Sequence, residues 1–73
     1  MNETGFETPE EAAMQGWDRR YARVVAVREL KRDYLEGEWV EVELATNEEP
    51  RAYPYFVNVQ RRDGRWFEGL SHN

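Results

Sequence analysis

YFVNVQRRDGRWFEGLS, residues 55–71, decides the fold. Asp63-Gly64 is a two-residue type I′ turn signal, flanked on both sides by alternating residues rich in β-formers. It predicts a hairpin of Tyr55–Arg62 and Arg65–Ser71. A two-residue loop also sets the register. Arg62 then faces Arg65, Arg61 faces Trp66, Gln60 faces Phe67 and Val59 faces Glu68. Tyr55, Val57, Val59, Trp66 and Leu70 share one face. Phe56, Asn58, Gln60, Phe67 and Gly69 share the other. Pro54 has no amide proton, which suits a strand start or an edge.

Working back along the chain, Glu38–Ala45 alternates as a second clear strand. Val40, Val42 and Leu44 point one way, while Trp39, Glu41 and Glu43 point the other. Asp33–Gly37 reads as the turn before it, and Asn47–Pro50 as the loop after it. Tyr21–Lys31 is rich in β-branched residues. Its centre, Val24–Val27, is apolar on both faces, which implies cover on two sides or a bulge. Thr8-Pro9-Glu10-Glu11 opens a helix: Thr8 as N-cap, Pro9 at the first helical position, Glu11 completing a capping box. Gly16 is a natural terminator. A helix of about two turns is not stable alone and must dock. Ala12 and Ala13 allow close approach, and Trp17 follows as an anchor. The expected fold class is α+β, one short N-terminal helix packed on a four-stranded antiparallel β-meander. Residues 1–7 are expected as a flexible acidic tail, with Phe6 packing back as a staple, and 8–73 as a single α+β domain.

The chain has 73 residues, no cysteine and one histidine, His72, beside its end. Disulfides and thiol chemistry are excluded, and a structural zinc site, with its four ligands, is not expected. A domain this small buries only about 60% of its unfolded surface. With neither staple nor metal, self-association becomes the expected support. The net charge of −5 disfavours non-specific binding to nucleic acid or an anionic membrane. The longest apolar run is Val24–Val27, far short of a membrane span. No basic-then-apolar leader opens the chain, so a cytoplasmic location is expected by default.

Charge falls in blocks. Residues 16–35 carry six bases and three acids, and residues 36–49 carry six acids and no base. Adjacent antiparallel strands of opposite sign complement each other. Arg19, Arg20, Arg23, Arg28, Lys31 and Arg32 cluster near Tyr21 and Tyr34, a pattern able to hold single strands of nucleic acid. The acidic strand alongside neutralises that field, so this reading carries little weight.

The order of one short helix and four antiparallel strands resembles the cystatin-like and NTF2-like α+β folds. Thr8-Pro9-Glu10-Glu11-Ala12-Ala13 looks like the helix opening of NTF2-like proteins. Arg62-Asp63-Gly64-Arg65-Trp66 looks like their final hairpin. The Gly16-Trp17 and Tyr53-Pro54-Tyr55 segments are similar to those of small bacterial proteins of this kind. The match covers less than half the chain. NTF2-like enzymes build a cone from several helices, and this chain has one. The cystatin Q-x-V-x-G run is missing, since Val57-Asn58-Val59-Gln60 does not fit it. The resemblance therefore implies a fold and no catalytic residue.

No nucleophile, metal or phosphate motif is present. The expectation is a non-enzymatic protein-binding or self-associating module, without cofactor, whose partner is a second copy or another protein. Trp39, Phe56 and Phe67 on the face away from the helix are the expected contact, since three grouped rings are unusual on a solvated face. A sheet edge offers a second means of binding, by accepting a partner strand, although Pro54 and the charged strand ends can block such pairing. The alternative is a miniature NTF2-like ligand-binding or catalytic domain, its pocket formed by a dimer near Trp17, Tyr55 and Glu68. There Glu68, among apolar neighbours, would be the candidate acid.

Overall fold

A computed structural model describes residues 5–31, 35–47 and 54–69. Its elements are α1 (Pro9–Met14), β1 (Ala22–Leu30), β2 (Glu38–Thr46), β3 (Tyr55–Arg62) and β4 (Arg65–Glu68). The strands form one antiparallel sheet in the order β1-β2-β3-β4. The chain is therefore an α+β fold with a four-stranded meander.

The hairpin register is the one the turn demands. Arg62 pairs with Arg65, Arg61 with Trp66, Gln60 with Phe67 and Val59 with Glu68. Asp63 and Gly64 both take positive φ, 54° and 78°. That is the backbone twist of a type I′ turn, which asparagine, aspartate and glycine tolerate best. β4 is shorter than the sequence pattern suggests and ends at Glu68. Leu70, Ser71 and His72 lie outside the described residues, as do Met1–Thr4, Arg32–Tyr34 and residues 48–53.

α1 begins as its sequence dictates. The Thr8 hydroxyl accepts a hydrogen bond from the Glu11 amide at 3.1 Å, and Pro9 follows at the first position. Glu10 and Glu11 lie in the first turn, where the helix dipole favours them. Gly16, with φ of 84°, turns the chain out of the helix. Ala12 and Ala13 are fully buried, so the helix backbone lies close on the sheet. Beneath it are Val42, Leu44 and Val59, all with no exposed surface, bordered by Val40, Met14, Ala22 and Trp66. Phe6, Trp17, Val24 and Val57 pack around this core. The inner face is thus the face read from the alternation of β2 and β3.

β1 carries a bulge between Val24 and Ala26. It answers the puzzle of four consecutive apolar residues. The extra residue, Val25, shifts the alternation, so Val24 and Val27 both pair with inner-face residues, Leu44 and Val42. Ala26, Arg28 and Leu30 pair with outer-face residues Glu43, Glu41 and Trp39.

The end of the acidic N-terminal segment is tied down. Gly5 is buried, and Phe6 exchanges both backbone hydrogen bonds with Trp66 at 2.8 Å. Phe6 is thus held to the outer edge of β4 as well as packing on the core. Gly5 takes φ of 76°, and a Cβ there would fall 2.8 Å from the Arg65 Cβ and from the Phe67 ring. Only glycine fits this approach.

Candidate interaction surface

The ladder arranges the outer face in rows. Leu30, Trp39, Gln60 and Phe67 form one row across all four strands. Arg28, Glu41 and Asn58 form the next, and Ala26, Glu43 and Phe56 the third. The three expected contact rings therefore share this face but not one patch. Phe56 is four residues along β3 from Gln60, about 13 Å away.

Two of the three rings are covered by their own chain. Trp39 donates from its indole nitrogen to the Glu36 carbonyl at 3.0 Å. Its ring reaches over β3 to Gly69, where a Cβ would meet Trp39 Cη2 at 2.8 Å and the Asn58 carbonyl oxygen at 3.1 Å. Phe67 lies between Gly5 and Arg62, whose guanidinium carbon sits 4.3 Å from the ring centre. Phe56 remains 54% exposed.

Charge on this face is paired across strands. Arg28 donates to Glu43 at 2.7 Å and to Glu41 at 3.3 Å. The Glu43 hydrogen bond, supported by Glu41, raises the Arg28 pKa further, so this guanidinium stays charged. Two other bases of the cluster are engaged as well. Arg20 caps Asp18 through its backbone amide at 2.8 Å and its guanidinium at 2.9 Å. Those bonds lower the Asp18 pKa and raise that of Arg20. Lys31 lies 3.7 Å from Glu29. A field suited to nucleic acid is therefore partly neutralised within the chain.

Trp17 and Tyr55 are brought together, with ring centres 5.0 Å apart and tilted by 56°. Glu68 does not join them. It is exposed and faces Val59, about four residues along the sheet from Tyr55. Two depressions lined by described residues lie away from this trio. One of about 360 Å³ lies among Glu29, Leu30, Leu35, Glu38 and Trp39. The other, about 340 Å³, separates Glu10 and Met14 of α1 from Arg19, Arg23 and Val24. Among the described residues no three His, Cys, Asp or Glu side chains gather to hold a metal ion, and no helix is long and apolar enough to cross a membrane.

The two sheet edges differ. Phe6 occupies part of the β4 edge. Among the described residues no strand pairs with the outer edge of β1. Tyr21, Val25 and Val27, on or beside that strand, are 61%, 47% and 39% exposed. The helix is also much shorter than this strand. α1 has six residues and spans about 9 Å, whereas nine-residue β1 spans about 30 Å. The helix cannot cover the whole strand. Sequence reading marked the apolar run Val24–Val27 but not its place at an open edge. Comparison of the chain with protein-family models, curated proteins and solved structures gives no match.

Proposed function

We propose that this chain is a non-enzymatic module that associates with another protein chain through its sheet, and first of all with itself. The observation that carries this reading is the open β1 edge. It offers nine residues of strand beside exposed valines, while the opposite edge is partly occupied by the chain's own Phe6. Unpaired strand edges recruit further strands, because backbone donors and acceptors there find partners without loss of geometry. The outer-face rings support the reading less than their number suggests, since Trp39 and Phe67 already pack on Gly69, Gly5 and Arg62.

Light scattering of the full chain at micromolar concentration tests the proposal. The expected result is about twice the chain mass, since a protomer this small gains stability from association. A strict monomer at every concentration up to the millimolar range overturns it.

A further inference from the structure

Resting on that self-association reading, we infer that two copies join through antiparallel pairing of their β1 edges about a two-fold axis at Val27, so that Val27 faces Val27 of the second copy. The choice of residue follows from the register. Facing residues of one sheet must share a face, so a two-fold passes through a residue paired with itself. Beyond the bulge the regular part of β1 is Ala26–Leu30, which leaves five positions.

Four of them fail. Centring on Ala26 sets Arg28 against Arg23 across the bulge, twice. Centring on Arg28 or on Glu29 sets each against its own copy. Like charges directly opposite destabilise a ladder. Centring on Leu30, the last residue of β1, leaves almost no overlap. Centring on Val27 sets Ala26 against Arg28, Val24 against Glu29 and Arg23 against Leu30, with no like charges opposed.

The same register joins apolar surface. Val27 stands beside Val42, which stands beside Val57, on the face that carries the helix. Placing Val27 against its copy extends this row without interruption into the second protomer. It also covers a valine that α1 leaves exposed. The small Ala26 side chain leaves room for Arg28 of the second copy on the outer face. The result is an eight-stranded sheet with both helices on one side.

Cysteine substitution tests the register, because the chain has no cysteine of its own and any disulfide must join two copies. Directly facing residues have Cα atoms about 4.5–5.5 Å apart, inside the roughly 4.4–6.8 Å range of disulfides. Val27→Cys should therefore form a covalent dimer under mild oxidation, at least about tenfold faster than Phe56→Cys, which is exposed on the outer face. Val27→Lys sets two ammonium groups opposite each other at a part-exposed site, and should halve the mass seen by light scattering while circular dichroism stays unchanged. A wild-type dimer in which Phe56→Cys crosslinks as fast as Val27→Cys, or in which Val27→Lys keeps the double mass, overturns the inference and leaves self-association standing. A monomeric wild type overturns both.

Discussion

Gly69 is the position where one methyl group reports on the whole outer face. Its amide donates to the Asn58 carbonyl at 2.7 Å, which holds the chain beside β3 just after β4 ends. The Trp39 indole covers it from two strands away. An added Cβ would fall 2.8 Å from Trp39 Cη2, closer still to Cζ3, and 3.1 Å from the Asn58 oxygen. Real Cβ atoms do not approach ring carbons so closely, so Gly69→Ala must displace the indole and strain its bond to the Glu36 carbonyl. Overpacking of this kind costs roughly 1–3 kcal/mol. In a domain of 60–100 residues each kcal/mol lowers Tm by about 4–8 °C. A loss of about 2 kcal/mol thus corresponds to a drop of roughly 8–16 °C. Thermal denaturation by circular dichroism reads it directly. The control is the same substitution in a Trp39→Val background, where the ring is gone and the alanine should cost less than about 0.5 kcal/mol. Equal destabilisation in both backgrounds would refute the reasoning, because the cost would then lie in the backbone and not in the indole.

Three further outcomes follow from the core, the cap and the charges. Leu44→Ala should cost about 2–5 kcal/mol in urea denaturation, since the side chain is fully buried beneath α1. That is a large part of the total stability expected at this size, and the variant should be partly unfolded at 37 °C. Thr8→Ala removes the acceptor for the Glu11 amide and should cost about 1 kcal/mol, while Thr8→Asp should cost less because its carboxylate can cap as well. The Asp18 carboxyl should titrate below the ordinary aspartate value of about 3.9 when followed by NMR. Its hydrogen bonds from Arg20 favour the charged form, so its contribution is complete above the unfolded value. That contribution is lost as pH falls through the lower folded value. In Arg20→Ala the midpoint should return upward.

Much of the architecture was legible in short-range chemistry. Asp63-Gly64 specifies a turn with two positive φ angles, and a two-residue loop leaves one register for β3 and β4. Thr8, Pro9 and Gly16 punctuate α1 because capping and chain reversal depend on neighbouring residues alone. The alternation of β2 named the buried face, since a strand has a period of two and only Val40, Val42 and Leu44 could be hidden together. The ambiguity of Val24–Val27 was visible as well, and the bulge at Val25 is one of the two answers its pattern allowed.

The candidate surface was less legible, because exposure depends on what other segments do at long range. Trp39, Phe56 and Phe67 share a face by parity. Whether rings on a face are bare depends on Gly69, Gly5 and Arg62, which come from elsewhere in the chain. Trp17 and Tyr55 meet, while Glu68 lies apart, because strand length separates residues that share a face.

Local pattern, in short-range terms, carried the elements, their order and the inward side of each strand, for hydrogen-bond geometry and side-chain periodicity act over a few residues. Folding in three dimensions decided which edge, among the described residues, has no partner strand. Phe6 returns to β4 across sixty residues of chain, and α1 leaves Val27 exposed, and neither event leaves a mark in any single window of the sequence.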